Sequence, residues 1–484
     1  MNSYSEAKRF GTLPVFLTAI STIVGAILFL RFGFAVGTLG FWGTLMIIIL
    51  GHSLTIPTAF AISELATNKR VEGGGEYFIM SRSFGLNIGA TIGFALFLSQ
   101  AISVAFYIIA FTEAFEFIFN FFADTLNFNV PRQVISVPAM LLLGFVILSK
   151  GANMGVKMLY VVTGILILSL ILFFSGSTEY QAVTGGNIPA GDLRNMSDFF
   201  IVFAIVFPAF TGMTAGVGLS GDLKNPAKSI PLGTITATST GLLIYLGVIY
   251  KLAISASPED MLANQLIMSK IAVFGVVIIP LGLAACTLSS AIGSIMVAPR
   301  TLQALALDSS FPSEKINKWL SVGRKGDNEP VNASLVTIII ALVFVSLGNV
   351  NAVAGIITMF FLVTYGSLCL ISFLNHFGSS PSYRPSFRSR WFLSLTGFII
   401  AIWVMFKINT PYAVASLALM TAIYFYIKSY HRERDGLESL FANALFQINR
   451  NIQVYLQQAG SRKKIKEWRP SAICISKDSF LRSK

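Results

Sequence analysis

Ile205-Val206-Phe207-Pro208-Ala209-Phe210-Thr211-Gly212-Met213-Thr214-Ala215-Gly216 is the stretch on which the reading of this chain turns. It lies inside an apolar segment running from about Phe199 to Leu219, long enough to cross a bilayer. Pro208 has no amide hydrogen to give the carbonyl four residues back, so the helical ladder is interrupted near residue 204. Gly212 and Gly216 weaken the helix further. At membrane depth such a break is tolerated only where protein or a watery cavity satisfies the released backbone groups. Two useful ends result. Carbonyls closing the first half suit a cation, and amides opening the second, near Gly212-Met213-Thr214, suit an anion. A purely structural kink would use the same residues, since Pro and Gly are common in membrane helices. What separates the two readings is a second interrupted segment near the N-terminus.

Working outward, the chain has 484 residues, 54% hydrophobic and only 12% charged. Water could not solvate that much apolar surface on a soluble fold, so the composition predicts an all-α polytopic membrane protein. The length allows about a dozen spans of about 20 residues. The net charge of +13 does not point to nucleic acid, because the bases gather at alternate span ends and in the tail. Cys286, Cys369 and Cys474 have no metal or redox spacing. The N-terminus is short and polar and the first apolar segment runs too far for a cleavable signal peptide. No nucleophile–base pair, metal cluster or phosphate loop lies outside the spans, so an enzyme is not expected.

Residues 1–11 read as a cytoplasmic N-terminus, 12–428 as the transmembrane domain and 429–484 as a cytoplasmic tail. Hydropathy predicts spans at about 12–36, 41–65, 86–122, 134–148 and 156–174. After the broken sixth span come 230–254, 266–296, 333–348, 352–374, 391–407 and 411–428. A basic, glycine-rich loop with a short amphipathic piece to Phe84, a polar loop over 176–197 and a basic connection over 298–331 separate them. Lys69, Arg70, Arg82, Lys150, Lys224, Arg300, Arg324 and Arg388 fall on one side. Asp124, Glu179, Asp192, Glu259 and Asp260 fall on the other. By the positive-inside rule both termini are cytoplasmic. Span one is interrupted at Ser21-Thr22-Ile23-Val24-Gly25-Ala26-Ile27, five spans before the break in span six. Five spans invert the direction of travel, so spans 1–5 and 6–10 can form an inverted repeat with a site at the two breaks.

The carbonyls of Thr22, Ile23 and Pro208 and the hydroxyl of Thr211 are oxygen donors suited to a dehydrated alkali cation. Gly25-Ala26-Ile27 and Gly212-Met213-Thr214 are amide donors suited to an anion. No Asp or Glu lies at either break, and a neutral site holding a cation favours an anion beside it.

These residues sit in longer recognisable runs: Gly25-Ala-Ile-Leu-Phe-Leu-Arg31, Glu72-Gly-Gly-Gly-Glu-Tyr77 with Ser81-Arg-Ser83, Pro208-Ala-Phe-Thr-Gly212, Ser220-Gly-Asp222-Leu, and Leu288-Ser-Ser290 through Ala298-Pro-Arg300. Asn328-Glu-Pro330, Met359 to Tyr365 and Tyr383-Arg-Pro-Ser-Phe-Arg388 continue the pattern. Over roughly residues 10–475 the chain resembles a cation–chloride cotransporter of the amino acid–polyamine–cation superfamily, closest to the sodium-coupled branch and of a short, prokaryotic type. The resemblance implies twelve transmembrane helices with a 5+5 inverted repeat of the LeuT type. It further implies electroneutral symport of chloride with sodium, and potassium as a further cation, by alternating access. A potassium-like site would comprise Thr22, Ile23, Tyr107, Pro208 and Thr211, with Thr22 standing where the family usually has asparagine. A sodium-like site would comprise Ser289 and Ser290, completed by Cys286 and the backbone of Ser21 and Val24. Chloride would bind at Gly25, Ala26 and Ile27, and at Gly212, Met213 and Thr214 closed by the Tyr365 hydroxyl. Arg31 and Glu113 would form an ion pair latching the outer vestibule. The implied setting is the plasma membrane, as a homodimer, with the lipid bilayer and small inorganic ions as partners and no cofactor.

Taken singly, each residue has a plainer use. Tyr107 and Tyr365 suit interfaces or packing, Ser289-Ser290 suits close helix approach, and Glu113 can snorkel. His52 and His376 read as structural polar residues. Ser63-Glu64-Leu65-Ala66 and Ile23-Val-Gly-Ala-Ile27 also resemble amino-acid permeases, which makes an amino acid or amine permease the alternative. A non-transporting partner or sensor is a third reading. In the tail, Leu437, Phe441, Leu445, Ile448, Ile452 and Tyr455 recur at helical spacing, predicting an amphipathic helix. Ser471-Ala-Ile-Cys-Ile-Ser476 is strand-like and resembles the first strand of the family's cytoplasmic domain; a lone strand cannot form a sheet, so either that domain is absent or vestigial or 471–476 is the start of a truncated one.

Overall fold

Hydrophobic runs bounded by Pro, Gly and small polar residues become helices almost wherever the computed structural model describes the chain. The described residues are 11–68, 76–150, 155–188, 192–324, 329–378 and 383–431, with 445–446, 449–450 and 452–457 of the tail. Among them no strand forms. The first half contains α1 (Thr12–Ile23), α2 (Ala26–Asn68), α3 (Glu76–Phe84), α4 (Leu86–Glu113), α5 (Glu116–Leu126), α6 (Gln133–Lys150), α7 (Gly155–Ser175) and α8 (Glu179–Thr184). Then α9 (Phe199–Val206) passes into a 3-10 helix over Phe207–Asp222, followed by α10 (Pro226–Ser255), α11 (Pro258–Ala263), α12 (Ile267–Ile271) and α13 (Gly275–Leu307). The chain continues with α14 (Glu314–Ser321), α15 (Val331–Leu347), α16 (Val350–Gly378), α17 (Trp391–Ile408) and α18 (Thr410–Tyr430). Local chemistry starts several of these. The Ser257 hydroxyl accepts from the Asp260 amide at 3.2 Å to open α11, and Asn409 Oδ1 accepts from Tyr412 N at 3.0 Å to open α18.

Nine helical stretches among the described residues are long and apolar enough to cross a membrane, and Gln133–Ser149 and Val331–Leu347 are shorter apolar helices. The first stretch, Thr12–Asn68, has 57 residues. At 1.5 Å per residue it would reach about 86 Å, nearly three bilayer cores. It does not run straight. It breaks at Val24–Gly25 and again at Gly40, whose φ of 76° is left-handed. Asp192 fills the space a side chain at Gly40 would need. Its Oδ2 accepts from Phe41 N at 2.8 Å and its carbonyl from Trp42 N at 3.3 Å, so a residue far along the chain caps the helix that follows the bend. Arg194 holds the Asp192 carboxylate at 2.9 Å.

Large side chains such as Leu142, Phe145, Leu243, Val277 and Val343 are exposed, as a lipid-facing surface requires. The buried interior forms where α1 lies on α10 and the 3-10 run, α2 on α10, and α13 and α16 on α4.

Several boundaries differ from expectation. Span three ends at Glu113 rather than Phe122. The Ala114 and Phe115 amides close on Phe111 and Thr112 as the chain turns, and α5, with no buried residue, follows. Span eight starts at Gly275, after two short helices and the positive φ of Phe274, and continues to Leu307, so the connection over 298–331 is helical for its first ten residues. The loop over 176–197 contains α8. In the tail, residues 445–446, 449–450 and 452–457 are helical and Leu445, Ile452 and Tyr455 are exposed, while the strand-like 471–476 lies outside the described residues.

Candidate ion site at two helix breaks

Pro208 ends the α-helix as its chemistry demands. The carbonyl it cannot serve, that of Ala204, accepts instead from the Thr358 hydroxyl of α16 at 2.8 Å. Beyond Val206 the chain tightens into 16 residues of 3-10 helix. This corrects the expectation of a second α-helical half opening at Gly212-Met213-Thr214. In a 3-10 ladder those amides face carbonyls three residues back rather than standing at a helix start. In span one the break keeps the expected form. The Val24 amide closes on Ile20 O at 2.8 Å and a new α-helix begins at Ala26, whose first-turn amides, Ala26 and Ile27 among them, have no intrahelical partner.

The two breaks touch. A methyl group on Gly212 would lie 2.6 Å from Ile23 N and 2.8 Å from the Thr22 carbonyl carbon, so only glycine lets the backbones meet. One hydroxyl joins them: Tyr245 of α10 lies 2.5 Å from Ile23 O and 2.8 Å from Ala209 O. It has a single proton to share between two carbonyls.

Beside this junction is a cavity of about 10 Å³, the room needed by one water-sized particle. Thr22, Tyr107, Thr211, Gly212, Thr214 and Ser290 line it, together with Gln100, Ser103, Ala215, Ser294 and Phe361. Three of its hydroxyls are arranged in one sense. Thr22 donates to Thr18 O at 2.9 Å, Ser103 to Ser99 O at 2.7 Å and Thr211 to Pro208 O at 2.8 Å. Each hydroxyl spends its proton on its own helix and keeps oxygen lone pairs for the cavity. Ser290 Oγ is buried without a hydrogen-bond partner. The lining has no Asp, Glu, Lys or Arg. Such a shell suits a small cation stripped of water.

The other expected site residues fall around this centre. Tyr365 donates to Thr211 O at 2.6 Å, closing the 3-10 arm from α16. Met213 is fully buried behind it. Pro208 O and Ile23 O each accept from a hydroxyl and keep a second lone pair. Ser21 turns its hydroxyl to Thr18 O at 3.1 Å. Cys286 is buried one turn before Ser290, with its thiol on Leu283 O at 3.2 Å, and Ser289 is half-buried outside the cavity lining. A side chain at Gly25 would meet Thr22 O at 2.6 Å. The expected Arg31–Glu113 pair does not form. Glu113, last in α4, pairs with Arg132, which the turn after α4 and the approach to α6 bring to it. Arg31 binds Asn351 Oδ1 at 2.7 Å and Leu30 O at 3.0 Å.

Sequence reasoning missed Tyr245, Thr358, Gln100, Ser103 and Ser294. A signal existed for three of them. Gln100, Ser103 and Tyr107 are spaced by three and four residues, one polar face of an otherwise apolar helix, and Ser290 and Ser294 repeat the spacing on α13.

The model of the amino acid permease family matches residues 14–468. The chain belongs to that family. It is a family of membrane transporters, not enzymes. The chain is also similar to cation-chloride cotransporter 1 of Oryza sativa subsp. japonica, 29% identical with 91% of this chain and 49% of the relative covered. Solute carrier family 12 member 2 of Squalus acanthias is 29% identical over 97% of this chain and 43% of its own length. Solute carrier family 12 member 1 of Mus musculus is 30% identical, over 97% and 47%. The chain thus spans less than half the length of each of these relatives.

Proposed function

We propose that this amino acid permease family member is a secondary symporter that couples chloride to sodium, with potassium as a further cation, by alternating access and without net charge movement. The observation that carries the reading is the cavity at the joined breaks. Thr22, Ser103 and Thr211 turn oxygen lone pairs inward, and Ser290 Oγ has no other partner. Its volume of about 10 Å³ suits one stripped ion and not an amino acid. The names of the cotransporter relatives support the same choice. Chloride is assigned to the first-turn amides of α2 and to the Thr214 and Tyr365 hydroxyls. The cation sites keep their assignment to Thr22, Ile23, Tyr107, Pro208 and Thr211, and to Ser21, Val24, Cys286, Ser289 and Ser290. Arg31 and Glu113 remain assigned to the outer face, each with its own partner rather than with the other. Thr12–Asn68 counts as two crossings, which with the two shorter apolar helices makes twelve in a plasma-membrane protein with cytoplasmic termini. A homodimer contact through the exposed tail helix belongs to the same reading.

The test is radiolabelled chloride uptake into proteoliposomes under sodium and potassium gradients, applied singly and together. Sodium-dependent uptake that rises with potassium is expected. Uptake of an amino acid in vesicles that take up no chloride would overturn the reading in favour of a permease for organic substrates.

A further inference from the structure

Glu76 opens α3, a nine-residue helix too short to cross a bilayer, yet only 5% of the residue is exposed. Its carboxyl faces the Thr214 side chain of the 3-10 arm, whose hydroxyl donates to Thr211 O at 3.4 Å, and its Oε2 is buried without a hydrogen-bond partner. Tyr365 of α16 stands beside it within electrostatic reach, its hydroxyl donating to Thr211 O at 2.6 Å. A protein carboxyl therefore shares the hydroxyl assigned above to chloride. Among the described residues no Lys or Arg pairs with Glu76.

Among the described side chains, the charged groups on the elements packed against α3 have partners of their own, Arg31 of α2 on Asn351 Oδ1 at 2.7 Å among them. Glu64 of α2 accepts from Ser372, Tyr383 and Ser389. Asp308, just past α13, is held by Tyr77 at 2.8 Å and Arg82 at 3.6 Å. Arg300 of α13 binds Glu329 at 3.2 Å, and Glu113 ends α4 beside Arg132. A buried carboxylate without a counter-charge is held far from its preferred environment, and burial pushes the Glu76 carboxyl up to about 8.

We propose that Glu76 is a proton-binding site that controls the anion arm, so that an inorganic anion binds there together with a proton on the glutamate. Ionised, the carboxylate takes the Thr214 hydroxyl and repels a second negative charge. Protonated from bulk water, it loses that charge and leaves the Thr214 hydroxyl to turn to the anion. The inference rests on the chloride reading of this arm. The carboxyl carries its proton below about pH 8, where anion affinity is full, and loses it above, where affinity falls.

The experiment is a set of radiolabelled chloride uptake curves on the full chain in proteoliposomes, at saturating sodium, with equal pH inside and out. From about pH 6.5 to about pH 9 the wild-type apparent chloride affinity is expected to weaken about tenfold, the factor for one pH unit above the midpoint. Glu76→Gln keeps a partner for Thr214 without the charge, and is expected to match the low-pH wild type at every pH. Should that variant fail to fold, Glu76→Asp retains a carboxyl and is expected to shift the midpoint. A flat wild-type profile, an undiminished pH dependence in Glu76→Gln or an unmoved midpoint in Glu76→Asp overturns the inference and leaves chloride transport standing. Absence of chloride uptake in the wild type at any pH overturns the chloride reading and this inference with it.

Discussion

The two helix breaks occupy corresponding places in the chain but resume differently. After Val24–Gly25 a full α-helix restarts, and the break offers the unpaired amides of a helix start. After Val206 no α-helix restarts until Pro226, and the intervening 3-10 run offers carbonyls and hydroxyls. Other helices satisfy part of it, through Tyr365 of α16 on Thr211 O and Tyr245 of α10 on Ala209 O, while Thr358 of α16 serves Ala204 O at the end of α9. A 3-10 run of 16 residues is unusual, since its hydrogen bonds are poorer than those of an α-helix, and such stretches often mark hinges. Span one thus offers the amides of a helix start, and span six a 3-10 run tied to its neighbours through Tyr245 and Tyr365.

The most direct way to break this comparison is to part the two elements. Gly212→Ala places a methyl 2.6 Å from Ile23 N, where backbone cannot yield cheaply. Transport is expected to fall by about 100-fold or more, the scale a displacement of about 1 Å produces, while size-exclusion chromatography still gives a folded protein. Near-normal uptake would show that the junction is not needed. Tyr245→Phe removes the shared donor without disturbing shape. A fall of about tenfold in maximal uptake is expected, because buried carbonyls at both breaks lose a partner worth about 1–2 kcal/mol. An unchanged rate would mean that the breaks are not held as one unit.

Finer substitutions sharpen the contrast. Ser290→Ala is expected to raise the sodium concentration for half-maximal uptake several-fold, as removing a ligand worth about 1 kcal/mol would. Ser289→Ala is expected to act less, since Ser289 lies outside the cavity lining. Equal effects from both would restore the pair to equal roles. The smallest expected change is in Thr358→Val, which leaves Ala204 O buried and unserved. It should lower stability by about 1 kcal/mol in thermal unfolding, with ion affinities unmoved. A shift in cation affinity instead would tie Thr358 to the site itself.

Both breaks were legible in the sequence because Pro208, Gly212 and Gly25 act on their own turns, and hydropathy marked most spans for the same local reason. The end of span three was not, because Phe117, Phe121 and Phe122 continue an apolar run after the helix has turned at Ala114–Phe115. Nor was the 3-10 character of span six, which depends on donors from α10 and α16 more than 30 residues away in sequence. The Arg31–Glu113 pairing failed on the same ground. Arg132 carries the charge needed, and only the fold shows that it reaches Glu113 first. Thr22, Tyr107, Thr211 and Ser290 converge on one cavity, whereas the position of Ser289 depends on how α13 is rotated about its own axis.

The bend at Gly40 has a consequence for biosynthesis. Phe41 leaves the ribosome about 150 residues before Asp192, the side chain that caps it. Until Asp192 is made, water must serve the open amides at that turn. Asp192, made just before α9, then supplies the acceptor that fixes the bend, so one of the earliest turns of the chain waits on a residue made far later.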